Sequence, residues 1–117
     1  MKKTILVCDD EEGIRESFKL ILEKDYDVIF AGSGDEAIEK TKAAPADIVI
    51  LDIKMPRKDG LETLKELKKI NPAMKVIIAT GYKSVDTAQE AMRLGASDYI
   101  VKPFDRQKIT NLIRKYA

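Results

Sequence analysis

Five short apolar runs alternate with amphipathic runs along the chain, and this alternation limits the possible folds more than any other feature. The apolar runs have the length of β-strands, and the third and fourth carry apolar side chains at consecutive positions, as strands do when helices cover both of their faces. Between the runs, apolar residues recur at the spacing of an amphipathic helix. The apolar runs cover residues 4–8, 27–31, 47–51, 75–79 and 97–101.

Five successive β–α units predict an α/β fold in a single domain, residues 1–117. Right-handed crossovers place the helices on both faces of a parallel sheet, so the expected architecture is a doubly wound, three-layer sandwich. A sheet of five strands built in this way most often has the strand order 2-1-3-4-5. The alternative interpretation is a fragment of a larger α/β protein.

Local signals also predict where the helices begin and end. Ser33 is a candidate N-cap for the second helix, and Asp105 is one for the last helix. Gly95 is a candidate C′ glycine after the fourth helix. The other predicted helices cover residues 12–23, 58–70 and 84–94.

The composition excludes several classes of site. The chain contains no histidine and one cysteine, Cys8, so it has no histidine-based triad, no histidine metal site and no internal disulfide. The expected environment is therefore the reducing cytoplasm. A formal net charge of +1 gives no electrostatic reason to expect a nucleic-acid or membrane partner. No apolar run approaches the ~20 residues of a membrane span, and the N-terminus does not resemble a signal peptide.

Acidic residues follow the strands that should be neighbours in such a sheet. Asp9 and Asp10 follow the first strand, and Asp52 ends the third. Ligands of doubly wound sheets bind beyond the carboxyl ends of the strands, where the strand order reverses, so these three carboxylates should converge. Carboxylates held together repel one another, and Mg²⁺ or Mn²⁺ would neutralise that repulsion with oxygen ligands.

The last two strands add a hydroxyl and a cation at the same edge, Thr80 and Lys102. A carboxylate nucleophile beside a divalent cation, a hydroxyl and a lysine has the groups that phosphoryl transfer needs. Each residue alone has an ordinary explanation, because acidic pairs cap helices and surface lysines are common. Chance would rarely place an acidic pair, a further aspartate, a hydroxyl and a lysine at four separate strand ends. This combination favours Asp52 as a phosphoryl acceptor.

Four stretches of the chain resemble the receiver domains of bacterial two-component response regulators, and the resemblance covers the whole length. It implies a flavodoxin-like fold and a switch that is activated by phosphorylation. It also implies a sensor histidine kinase or a phosphotransfer protein as the phosphoryl donor, and a downstream effector that contacts helix four, strand five and helix five. The matching stretches are residues 5–11, residues 49–56 with Asp59 and Gly60, residues 78–82 and residues 95–104.

The resemblance assigns roles around the phosphoryl group. It implies that Asp52 is the phosphoacceptor and that Thr80 and Lys102 contact the bound phosphoryl group. Thr80 is also similar to the switch hydroxyl of these domains, and Tyr99 to the aromatic residue that moves inward on activation. Gly60 is similar to a turn glycine after the acceptor loop.

The resemblance also implies a metal site and one special peptide bond. The implied Mg²⁺ ligands are Asp9, Asp10 and Asp52, with the backbone carbonyl of Lys54. The peptide bond before Pro103 corresponds to one that is cis in the family. Whether the chain resembles stand-alone relay receivers or receivers attached to sigma-54-type activators more closely stays open.

Two rival functions fit the same fold. A hydrolase with an aspartyl-phosphate intermediate needs a second aspartate two residues after the nucleophile, and the chain has Lys54 there. A flavin- or nucleotide-binding module needs a glycine- or hydroxyl-rich loop after the first strand. This chain has four consecutive acidic residues at positions 9–12, which would repel a phosphate.

Overall fold

The structure, a computed structural model, describes residues 2–53, 60–81 and 85–117. Its strands and helices alternate, and the five strands form one parallel sheet in the order β2-β1-β3-β4-β5. The predicted doubly wound α/β sandwich with strand order 2-1-3-4-5 is therefore confirmed. The elements are β1 Thr4–Cys8, α1 Glu12–Leu22, β2 Asp27–Ala31, α2 Gly34–Ala43, β3 Ile48–Asp52, α3 Gly60–Ile70, β4 Lys75–Gly81, α4 Val85–Arg93, β5 Asp98–Lys102 and α5 Arg106–Tyr116.

The strand ends differ from the apolar runs by one or two residues. Asp52 and Thr80 lie inside β3 and β4, because backbone pairing with the neighbouring strand continues beyond the last apolar side chain. Gly81 still pairs with Lys102 at the end of β5. The predicted starts of the third and fourth helices, at residues 58 and 84, lie outside the described residues.

The predicted helix caps are present. The Ser33 hydroxyl accepts a hydrogen bond from the Glu36 amide at 3.1 Å, and the Asp105 carboxylate accepts one from the Lys108 amide at 2.8 Å. Gly95 follows α4 with φ of +107°, a conformation that costs other residues free energy. These three residues fix where α2, α4 and α5 begin or end.

The sheet buries side chains on both faces. One face packs against α1 and α5, with a core of Ile5, Val7, Phe18, Leu22, Ile48, Ile50, Ile77, Ala79, Ile100, Ile109 and Ile113. The other packs against α2, α3 and α4, with a core that includes Leu6, Val49, Leu51, Leu64, Leu67, Val76, Ile78, Ala88 and Ala91. A one-residue slip of any central strand would exchange these faces, so the two cores fix the register.

No helix in the part of the chain that the structure describes is long and apolar enough to cross a membrane.

The start of α3 lies against the carboxyl end of β3. The Gly60 amide donates a hydrogen bond to the Ile53 carbonyl at 2.8 Å. A Cβ atom at Gly60 would lie 2.6 Å from Ile53 Cα and 2.7 Å from the Asp52 carbonyl oxygen. Both atoms belong to the backbone and cannot rotate away. Glycine is therefore required here, because the start of α3 packs directly against the backbone of Asp52 and Ile53.

We expect Gly60→Ala to destabilise the protein by about 1–3 kcal/mol, the usual range for forcing extra atoms into a packed site. Alanine's higher helix propensity, worth up to ~1 kcal/mol, offsets only part of this. Gly13 in α1 is the matched control, because nothing lies within 4 Å of a Cβ atom there. Gly13→Ala should be neutral or stabilising by up to ~1 kcal/mol. Urea unfolding of both variants tests this, and equal effects would contradict it.

Candidate functional site

Three carboxylates converge at the carboxyl edge of the sheet. Asp9 follows β1, Asp10 comes next, and Asp52 ends β3, which is the neighbour of β1. One carboxylate oxygen from each lies within 4.8 Å of the others. Asp9 and Asp52 are buried, with 1% and 7% of their surface exposed, whereas Asp10 is exposed. The structure thus brings together the three aspartates that the strand ends predict.

Lys102 lies between two of these carboxylates. Its Nζ is 3.3 Å from Asp9 Oδ2 and 3.8 Å from Asp52 Oδ2. When ionised, the three carboxylates and this one ammonium leave an excess of two negative charges. Hard carboxylate oxygens and an excess negative charge are what Mg²⁺ or Mn²⁺ requires, so this donor set fits a divalent cation. The carbonyl of Lys54, the fourth expected ligand, lies outside the described residues.

Asp9 is held at several points besides its carboxylate–lysine contact. Its amide donates to the Ala31 carbonyl in β2 at 3.0 Å, and its Oδ1 accepts from the Glu11 amide at 2.9 Å. Its carbonyl accepts a hydrogen bond from Arg15 Nη1 at 2.7 Å. The sequence alone does not mark Arg15 as part of the site, because an arginine in the first turns of an amphipathic helix carries no distinctive signal.

A second charged group stands beside this arginine, on α2. Glu36 Oε1 accepts a hydrogen bond from the Gly32 amide at 2.8 Å, and Glu36 Oε2 lies 3.1 Å from Lys40 Nζ. The Gly32 hydrogen bond, together with Lys40 and then the charge of Arg15, holds the pKa of Glu36 below its usual value against a smaller opposing effect of burial. Glu36 is therefore an anion next to the Arg15 guanidinium.

Cys8 precedes the acidic cluster and takes no part in it. Burial, and then the charges of Asp9 and Asp52, raise the pKa of the thiol to about 12. Its Sγ lies 3.3 Å from the Ser33 carbonyl oxygen, to which the thiol donates. The side chain stays neutral and serves as a small core residue.

Thr80 and Tyr99 lie on the opposite face of the sheet from Asp52 and Lys102. The register pairs Thr80 with Val101 and Ile78 with Tyr99, so Thr80 and Tyr99 share the face that α4 covers. Thr80 is buried, and its hydroxyl donates to the Gly81 carbonyl at 3.1 Å. Tyr99 is half-buried against the core on that face. The two candidate switch residues thus share one face on adjacent strands, two register positions apart.

The loop after β5 also borders the site. The Lys102–Pro103 peptide bond is cis, the geometry that the resemblance implies. An open groove of about 620 Å³ runs between this loop and α1, beside Lys102. Apart from Lys102, its lining is mostly apolar. It is formed by Ile14, Ser17, Ile21, Gly81, Lys102, Pro103 and Phe104.

A family model and several known proteins of similar length match this chain. The family model of the response regulator receiver domain matches residues 5–114. Sporulation initiation phosphotransferase F of Bacillus subtilis is 38% identical over 99% of this chain and 94% of its own length. Chemotaxis protein CheY of Thermotoga maritima is also 38% identical, over 100% of this chain and 99% of its own. A response regulator receiver domain protein from Clostridium thermocellum has a TM-score of 0.91 at 39% identity, covering 97% of this chain and 93% of that one.

Longer regulators carry a similar segment. Transcriptional regulatory protein ZraR of Klebsiella oxytoca is 44% identical over 90% of this chain but only 24% of its own length. The chain thus spans about a quarter of the length of the transcriptional regulators that it matches. The extent of the family match and the similarity to relatives of the same size lead to one conclusion. The chain belongs to the response regulator receiver domain family, the signalling domains of two-component systems.

Proposed function

We propose that this receiver domain is a phosphorylation-activated switch in which Asp52 accepts the phosphoryl group. The donor is a phosphohistidine on a sensor histidine kinase or a phosphotransfer protein in the cytoplasm. The observation that carries this proposal is the convergence of Asp9, Asp10 and Asp52 with Lys102 at one edge of the sheet. That arrangement combines a nucleophile with the charge balance that a transferring phosphoryl group requires.

In the transfer, a carboxylate oxygen of Asp52 attacks phosphorus. The bond from phosphorus to the donor nitrogen breaks, the nitrogen keeps the electron pair, and an acyl phosphate forms on Asp52. Lys102 stands 3.8 Å from the attacking carboxylate and balances charge on the phosphoryl oxygens. Asp9 and Asp10, together with Asp52 and the Lys54 carbonyl, would hold Mg²⁺ or Mn²⁺. When bound, the cation neutralises charge on the transferring group.

The domain acts only on itself. It catalyses its own phosphorylation and a slow dephosphorylation, and it turns over no foreign substrate. The hydrolase alternative would need a second aspartate where the chain has Lys54. The flavin or nucleotide alternative would place a phosphate beside the acidic cluster, which repels it. The hydrolase is therefore disfavoured by the missing aspartate, and the flavin or nucleotide module by the charge of the site.

Switching would pass from the acidic edge to the opposite face of the sheet. The Thr80 hydroxyl now donates to the Gly81 carbonyl and would exchange that acceptor for a phosphoryl oxygen. Tyr99 shares the face and would move with Thr80. Their rearrangement would remodel the surface of α4, β5 and α5, where a downstream effector binds. An open cavity of about 400 Å³ already lies on this surface, between Tyr99 and α5.

The groove beside Lys102 supports the proposed donor. Its apolar lining adjoins the site and offers a helix of a kinase or phosphotransfer protein a place to pack.

Nothing in the net charge of +1 favours direct binding to nucleic acid.

Beryllofluoride, which mimics a phosphoryl group on a carboxylate, tests the switch. With Mg²⁺ it should bind and shift the NMR signals of Thr80, Tyr99 and residues of α4, because the analogue attracts the Thr80 hydroxyl. Without a divalent cation, and in Asp52→Asn, it should not bind. Shifts confined to the neighbourhood of Asp9, Asp10 and Asp52 would describe a site without a switch and contradict the proposal.

A further inference from the structure

Arg15, on α1, contacts the backbone of the acidic turn that residues 9–12 form after β1. Its Nη1 donates to the Asp9 carbonyl at 2.7 Å, a short hydrogen bond from a charged donor. That carbonyl belongs to the peptide group that links Asp9 to Asp10. The orientation of this peptide plane sets the position of the Asp10 backbone. It therefore also sets where the Asp10 carboxylate can reach.

The position of the Asp10 carboxylate depends on the backbone more than the position of the Asp9 carboxylate does. Asp9 has contacts to Lys102 and to the Glu11 amide, whereas the exposed side chain of Asp10 projects from a bend between β1 and α1. Its approach to the other two carboxylates is therefore determined largely by the turn that carries it. Arg15 holds that turn from the side of α1.

The guanidinium itself lies near an anchored anion, Glu36. A Cβ atom at Gly32 would lie 3.6 Å from both Arg15 Nη1 and Glu36 Oε1, so the two charged groups flank the same point of the backbone. Glu36 is tied to the Gly32 amide and to Lys40. Arg15 on α1 thus holds the loop after β1, and Glu36 on α2 holds the adjacent loop after β2.

We propose that Arg15 is a positioning residue for the divalent cation site, which it serves by fixing the Asp9–Asp10 peptide group. The inference rests on the proposed function, since it presumes that Asp9, Asp10 and Asp52 hold Mg²⁺. Arg15 touches neither the cation nor the phosphoryl group. It acts through the backbone that carries two of the three carboxylates.

A positioning role and a purely electrostatic role of Arg15 predict opposite changes in Mg²⁺ affinity when Arg15 is removed. This difference makes the proposal testable. If Arg15 acted only as a nearby cation, its removal would lessen repulsion and Mg²⁺ would bind more tightly. If it positions the turn, its removal lets Asp10 move and Mg²⁺ binds more weakly. Arg15→Lys separates the effects further, because lysine keeps the charge but lacks the planar fork of arginine.

The experiment is a Mg²⁺ titration of the intact chain, followed by the amide NMR signals of Asp10 and Glu11. We expect roughly ten-fold weaker Mg²⁺ binding for Arg15→Met, the lower end of the effect of removing a group that orients metal ligands. Arg15→Lys should also bind more weakly than wild type. Lys19→Met, which removes an exposed cation one turn further along α1, is the control and should leave the affinity nearly unchanged.

A readout without metal accompanies the titration. In the metal-free protein, the Asp10 amide nitrogen should shift in both Arg15 variants, because it shares a peptide plane with the Asp9 carbonyl. Mg²⁺ affinity equal to or tighter than wild type in Arg15→Met, or wild-type affinity in Arg15→Lys, would overturn the inference. Should Arg15→Met fail to fold, Arg15→Lys decides alone. Absence of saturable Mg²⁺ binding in wild type would instead refute the proposed function as well.

Discussion

Asp52→Asn is expected to abolish phosphoryl acceptance. An amide is nearly the same size as a carboxylate and fits the same buried position at the end of β3. It lacks the nucleophilic oxygen that attacks phosphorus and removes one of the three carboxylates of the cation site. With Mg²⁺ and acetyl phosphate, wild type should gain one acid-stable, base-labile phosphoryl group. The variant should show only background labelling.

The matched control for this variant lies at the other end of β3. Asp47 is exposed and accepts a hydrogen bond from the Thr4 amide at 2.8 Å, far from the carboxyl edge of the sheet. Asp47→Asn should be labelled like wild type. Circular dichroism and thermal unfolding should show that Asp52→Asn is folded. Labelling of Asp52→Asn at wild-type yield would refute the assignment of Asp52.

Lys102→Met is expected to slow phosphorylation of Asp52 by about 10²-fold at saturating Mg²⁺, the lower range for loss of one group that stabilises transition-state charge. Methionine has a similar length but no ammonium to balance the phosphoryl oxygens. The ammonium now lies 3.3 Å from Asp9 and 3.8 Å from Asp52. The initial rate of labelling by acetyl phosphate measures the effect.

A loss of metal affinity should not explain this slower rate. Removing Lys102 leaves the carboxylates with more excess negative charge, which favours a divalent cation. Mg²⁺ should therefore bind the variant at least as tightly as wild type. Lys75→Met, at the exposed start of β4, serves as the control and should react at the wild-type rate. A wild-type rate in Lys102→Met would show that Lys102 is only a structural ion-pair partner.

The sequence predicts much of the fold because its signals are local. Apolar runs of strand length, helical spacing and the capping residues Ser33, Gly95 and Asp105 each act over a few residues. Strand order then follows from the preferred topology of five β–α units. The convergence of Asp9 and Asp52 follows in turn, because both stand at the carboxyl ends of neighbouring strands.

Other features depend on contacts between distant segments. The extension of β4 to Gly81 depends on pairing with β5, not on apolar side chains. The requirement for Gly60 comes from the backbone of Ile53 and Asp52, which no local pattern encodes. The Arg15 contact to the Asp9 carbonyl needs the turn between β1 and α1 to be known. Such close approaches are visible only once the elements have been packed.

The most direct test of the account is to locate the phosphoryl group on the unmodified protein. Loss of labelling in a variant is indirect, since replacing one carboxylate also alters the cation site. Borohydride cleaves an acyl phosphate and reduces the aspartyl carbonyl to an alcohol, which mass spectrometry detects in the peptide. After treatment with acetyl phosphate and Mg²⁺, we expect this reduction at Asp52 alone. Reduction at another residue, with Asp52 unchanged, would contradict the assignment of the phosphoryl acceptor.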